Sequence, residues 1–207
     1  MRYPYFCSLI ILAFLTFFTT ETLAQSQARV ALESGLNKVF EIIKSPNYAN
    51  PATRQKARDQ IAVIVKQKFD FMEFSSRTVG PRWQKFSPKE QQDFSAAFAD
   101  LLINTYVNKI DGYNGEQISY QGERSANNRC EILTLVSMKD GKKIPVAYRM
   151  LPKDNTWKVY DVIIENISLV KNYRTQFQDI LTSSTPMQLI ERIRVKAQEA
   201  RNNHGKP

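Results

Sequence analysis

The chain has 207 residues, 43% of them apolar and 24% charged, with a net charge of +9, one histidine, two cysteines and seven glycines. Its one histidine is His204, at the C-terminal end, so histidine triads and His-rich metal centres are excluded, and seven glycines leave little scope for a phosphate-cradling loop. An enzyme built on this chain would have to work with carboxylates and tyrosines.

Arg2, an apolar run over residues 5–18 and the small residue Ala24 have the layout of a secretory signal, with cleavage expected after Ala24. The run is shorter than the roughly 20 residues that span a bilayer. Cys7 lacks the preceding small residues of a lipid-attachment site. Removing residues 1–24 of the 207 leaves 183, enough for one core. It also leaves 28 basic against 19 acidic residues, still +9. The remaining Cys130 has no partner for an internal disulfide and is expected as a small buried side chain on a strand. Outside the cytoplasm nucleic acid is not a partner for this basic surface, which leaves anionic lipid, acidic protein patches or plain solvation.

Leu32, Leu36, Val39, Phe40 and Ile43 recur at helical spacing and predict an amphipathic helix over residues 27–44. Asn50 and Pro51 restart the chain as a helix to about residue 68, with Ile61, Ile64 and Val65 inward. The aromatics Phe69, Phe71 and Phe74 predict a short helix pressed on the core, broken at Gly80 and Pro81. Ser87 and Glu90 form a capping box for the longest helix, whose stripe is Phe94, Phe98, Leu101, Leu102, Tyr106 and Ile110. That helix ends at Asp111-Gly112, with a turn after it.

From Glu116 the apolar period moves toward two, which predicts four strands near 116–124, 129–139, 143–151 and 156–165. Short turns at 126–128, 140–141 and 153–155 make them an antiparallel meander. The last strand is bulky on both sides, with Trp157, Val159 and Ile163 alternating against Tyr160, Val162 and Ile164. A strand of this kind is covered on both faces, by helix, by a partner or by an apolar ligand. Two helices close the chain, one from Ser168 and one started by Thr185-Pro186 with Gln188, and residues 202–207 are expected to be a disordered tail. The fold class is α+β: a four-stranded curved antiparallel sheet packed with several helices, as one domain over residues 25–201 that is helical to about residue 111.

Two uses of this sheet follow from its residues. Tyr106, Ile110, Leu133, Leu135, Val146, Tyr148, Tyr160, Val162 and Ile164 could line an apolar cavity between sheet and helices. Alternatively Asp161, among apolar neighbours, could act as a raised-pKa base with Tyr148 or Tyr160 on an apolar substrate, unless it is paired with Arg149 or Arg174. A third possibility is a binding module with a filled core.

The wording of the chain resembles the MlaC, or Ttg2-type toluene-tolerance, family. The matching residues include Phe69-Asp70-Phe71, Trp83, Thr105-Tyr106, Tyr113-Asn114-Gly115-Glu116 and Ile144-Pro145-Val146 with Tyr148-Arg149. Further matches are Trp157 to Val162, Ser168-Leu169-Val170 and Asn172-Tyr173-Arg174-Thr175-Gln176-Phe177. Ala147 departs from an often acidic position, and Gly80-Pro81-Arg82 from a Gly-Arg-Tyr-like run. The resemblance implies a sheet similar to nuclear-transport-factor-like domains and a deep pocket for the acyl chains of a phospholipid. It implies a soluble periplasmic carrier, not an enzyme, with no cofactor beyond its phospholipid cargo. The expected partners are an outer-membrane lipoprotein, MlaA with a porin, and the MlaD ring of an inner-membrane ABC transporter. The carrier is expected to act as a monomer and to maintain outer-membrane lipid asymmetry. Arg192, Arg194, Lys196 and Arg201 could steer it to acidic faces of those partners.

Overall fold

The computed structural model describes residues 26–110 and 115–202, without the side chains at 108–110. The expected signal segment, the Asp111-Gly112 helix end and the tail beyond residue 202 lie outside the described residues. Helix α1 spans Gln27–Ile43, α2 Pro46–Ala49, α3 Pro51–Lys68, α4 Phe71–Val79 and α5 Pro88–Ile110. Strands β1 Gln117–Ala126, β2 Arg129–Ser137, β3 Lys143–Lys153, β4 Thr156–Ile164 and β5 Ile167–Ser168 follow, then α6 Leu169–Ile180 and α7 Pro186–Asn202.

The starts of α3, α5 and α7 are made by the expected side chains. Asn50 accepts from the Ala52 N–H at 2.9 Å. Ser87 and Glu90 close their box in both directions, at 3.3 and 2.8 Å, and Thr185 and Gln188 do the same. Asp70 caps α4 through the Glu73 N–H, takes the Lys153 ammonium at 2.7 Å, and gives its own N–H to the Val159 carbonyl. One residue therefore ties a helix start to β3 and β4. Gly80 ends α4 at φ +70, which costs a residue without a side chain little. The chain passes from there through a short 3₁₀ turn, Gly80–Lys85, into α5.

The strands form one antiparallel meander in the order β1-β2-β3-β4-β5. Both residues of the pairs Asn127-Asn128 and Asp154-Asn155 have positive φ, as the tight hairpin turns matched to strand twist require. A third such pair, Glu165-Asn166, folds Ile167 and Ser168 back onto Ile164 and Ile163. The sheet thus has five strands where four were expected. A two-residue strand is too short to produce a period, so it passes as the lead-in to α6.

Residues paired across strands share a face. Tyr148 pairs with Val162 and Val146 with Ile164, whereas Met150 pairs with Val159, because the register slips between Arg149 and Met150. Tyr160 is the extra residue, and this bulge reverses the alternation of β4. Trp157, Val159, Val162 and Ile164 consequently share the helix-facing side, and the expected split of Trp157 and Val159 from Val162 and Ile164 is corrected. The core on this side contains Ile132, Met150 and Val159, all at most 1% exposed. Above them Phe74, Phe94, Phe98, Tyr173 and Phe177 from α4, α5 and α6 meet mostly edge to face at 5.0–5.7 Å. Cys130 is buried in the same core.

Candidate functional site: an apolar cavity between sheet and helices

The core is not filled throughout. A cavity of about 280 Å³ lies between the helix-facing side of β3 and β4 and the helices. The sheet supplies Val146, Tyr148, Val162 and Ile164; α5 supplies Leu102, Ile103, Tyr106 and Val107. Leu36 and Val39 of α1, Ile61 and Val65 of α3, and Phe69, Phe71, Phe74 and Leu169 complete the wall. No lining residue carries a charge, and the polar side-chain atoms there are the Tyr106 and Tyr148 hydroxyls. The stacked rings of Phe69 and Phe71, 5.5 Å apart, form a stiff end to it. Such a lining has nothing to attract a polar substrate and much to attract a hydrocarbon chain.

Of the nine residues expected at the cavity, the structure brings five together there: Tyr106, Val146, Tyr148, Val162 and Ile164. Leu133 and Leu135 are placed elsewhere. Their register with Ala147 and Pro145 puts them on the opposite face of the sheet. With Ile163 they line a separate, shallow depression of about 230 Å³. Tyr160 is bulged away from the cavity and buried under the Arg77 guanidinium, 4.3 Å above its ring. The Ile110 side chain is outside the described residues. The contributions of α1, α3 and the Phe69–Phe74 segment were legible only as inward helix positions, with no signal that they face this part of the sheet.

Asp161 does not serve the cavity. It is 2% exposed and accepts from the Ser168 hydroxyl at 2.7 Å and the Val170 N–H at 3.1 Å, with Arg149 at 3.4 Å. Its carboxylate anchors the start of α6 to β4, and Arg149 also holds Glu131 at 2.8 Å. The reading of Asp161 as a base acting on a substrate in the cavity is thereby corrected. No group of three or more metal-ligating side chains occurs among the described residues.

Burial pushes four tyrosines upward: Tyr106 and Tyr148, which line the cavity, are raised, and Tyr120 and Tyr173, which lie outside it, are both pushed up to about 12 from 10.0. A tyrosine with a raised pKa keeps its proton in the folded chain after the unfolded chain has lost it. The contribution of these tyrosines to stability is therefore constant below about pH 10 and is lost as pH rises from about 10 toward 12. Urea unfolding at pH 9 and pH 11.5 is expected to show this loss, and Tyr120→Phe and Tyr173→Phe are each expected to reduce it. An unchanged pH dependence in both variants would show that other groups dominate.

A curved meander with helices on one face and an uncharged chamber between them defines the class: an α+β protein with an apolar interior cavity. The family model described as MlaC protein matches residues 33–195. The chain belongs to the MlaC family. It is 21% identical over 199 residues to the intermembrane phospholipid transport system binding protein MlaC of Haemophilus influenzae, covering 92% of this chain and 90% of that one. It is 28% identical over 99 residues to the toluene tolerance protein ttg2D of Pseudomonas putida, about half of each chain. Its fold is that of a phospholipid-binding protein from Ralstonia solanacearum, solved with a phospholipid. The TM-score is 0.73 at 23% sequence identity, over 84% of this chain and 99% of the other.

Proposed function

We propose that this chain is a periplasmic phospholipid carrier, exported by cleavage after Ala24 and shuttling lipid between outer- and inner-membrane complexes. The uncharged cavity carries the reading, together with relatives named for phospholipid binding and transport. No helix among the described residues is long and apolar enough to cross a membrane. Two acyl tails hold roughly 30 methylenes, and at ~0.8 kcal/mol each their exposure would cost on the order of 25 kcal/mol. A carrier has to replace nearly all of that burial. An exposed headgroup ion pair adds only ~0–1 kcal/mol, so chain burial sets affinity and headgroup discrimination is weak.

At about 280 Å³ the cavity is just below the roughly 300–1,000 Å³ typical of small-molecule sites. Housing two tails therefore requires a wall to yield. The best candidate is the α1–α3 layer, since α3 packs mainly on α1 and α2 and only lightly on α5. By family resemblance the docking partners are the MlaA–porin complex and the MlaD ring, and the cargo moves toward the inner membrane to keep phospholipid out of the outer leaflet.

The test is uptake from vesicles. Delipidated protein incubated with phosphatidylethanolamine and phosphatidylglycerol vesicles and then separated from them is expected to carry both lipids in near-stoichiometric amount. Protein that emerges without lipid would contradict the reading.

A further inference from the structure

One polar group of the cavity has no partner in the protein: the Tyr148 hydroxyl. Tyr148 stands on the central strand β3 between Ile132 and Val162, which are 0% and 7% exposed, and is itself partly buried in the cavity wall. Among the described residues nothing hydrogen-bonds to its hydroxyl, and Tyr120 of β1 acts on it only electrostatically. Burial raises its pKa, so the hydroxyl keeps its proton and is a donor. A cargo that displaces water from this donor has to bring an acceptor of its own, since a buried hydroxyl left unpaired is costly.

The lining decides which acceptor fits. A hydrocarbon tail has none. A carboxylate or phosphate is charged, and no lining residue carries a cation to balance it. An ester carbonyl is neutral, accepts from a hydroxyl, and sits where the tails of a phospholipid begin.

The surroundings of Tyr148 also give a direction. Beside it is Tyr120, and the Arg29 guanidinium of α1 lies 4.8 Å above the Tyr120 ring and pairs with Glu33 at 2.9 Å. Next to these the Ser26 hydroxyl donates to Glu123 of β1 at 2.7 Å. Polarity therefore rises from hydrocarbon lining through two hydroxyls to ions at the boundary of α1 and β1. A phospholipid has the same order along its length: tails, esters, charged headgroup.

We propose that Tyr148 reads the ester linkage of the cargo. Its hydroxyl donates to an ester carbonyl, with the tails in the cavity and the headgroup emerging between the N-terminal half of α1 and β1. This rests on the reading of the cavity as the lipid site. The bond favours ester-linked chains over ether-linked ones, and over free fatty acids, whose carboxylate would meet no cation.

Competition between two lipids tests this. Delipidated protein is given vesicles holding equal amounts of diester and diether phosphatidylethanolamine with the same chains, and the lipid it extracts is measured by mass spectrometry. The diester-to-diether ratio is expected to be about fivefold lower for Tyr148→Phe than for the parent, the worth of one hydrogen bond. Val162→Ala alters the same cavity without touching the hydroxyl and is expected to keep the parent's ratio. The hydroxyl holds nothing in the protein, so delipidated Tyr148→Phe is expected to unfold at the parent's temperature. Equal ratios in the parent and Tyr148→Phe, or the same fall in Val162→Ala, would overturn the ester contact and spare the carrier reading. A phospholipid with a diazirine in its headgroup is expected to label residues 26–33 or β1, and label confined to other elements would overturn the path. A parent that takes up neither lipid would remove the carrier reading itself.

Discussion

A Val146→Trp variant is expected to fold cooperatively and to purify without phospholipid. Val146 is 8% exposed on the central strand β3, paired with Thr134 and Ile164, and it faces α5 across the cavity. Overfilling a packed core costs about 1–3 kcal/mol, but here the indole has existing space to occupy, which places the cost at the low end of that range. The cargo has no such relief. Displacing about four tail methylenes at ~0.8 kcal/mol each removes about 3 kcal/mol, or more than a hundredfold in affinity. Leu133→Trp provides the control, because it lies on the other face of the sheet and is expected to leave lipid content unchanged. Lipid extraction followed by mass spectrometry reads both variants. Retention of lipid by Val146→Trp with loss by Leu133→Trp would place the cargo on the wrong side of this account.

Asp161→Ala is expected to lose about 3 kcal/mol of stability with no effect on cargo in the fraction that folds. The loss comes mainly from the buried Ser168 hydroxyl and Val170 N–H, which are left without their acceptor, since hydrogen bonds to a charged group contribute about 1.5–3 kcal/mol each. The Arg149 pair adds little. Its side chain is 36% exposed and remains bonded to Glu131. In a domain of this size about 3 kcal/mol corresponds to a fall in Tm of roughly 6–12 °C. Asp161→Asn keeps an acceptor for the α6 cap and is expected to lose less. Thermal unfolding measures both, and a Tm within a degree of the parent for Asp161→Ala would refute the anchoring role.

Apart from the four-residue α2, Pro46–Ala49, the helices and the four main strands were legible because their signals are local. Capping at Asn50, Ser87 and Thr185 and the turns at 127–128 and 154–155 act within a few residues of themselves. The cavity was legible only in part, because a residue's face depends on register, and one extra residue reverses it. The bulge at Tyr160 has no local mark, since a tyrosine among β-branched residues reads as ordinary strand. On β2 the polarity cue pointed the wrong way. Thr134 faces the helices, 2% exposed, with its hydroxyl donating to the Val146 carbonyl at 2.9 Å, while the apolar Leu133 and Leu135 face outward. Asp161 is unsuited to catalysis for a physical reason as well: this buried carboxylate of β4 is committed to holding the start of α6.

The most direct measurement is a native mass spectrum of the mature chain purified without detergent. A phospholipid carrier gives a protein peak displaced by the mass of one phospholipid, collapsing to the bare mass on activation, and absent in Val146→Trp. A bare chain in the parent, which also stays bare after incubation with phospholipid vesicles, would contradict it.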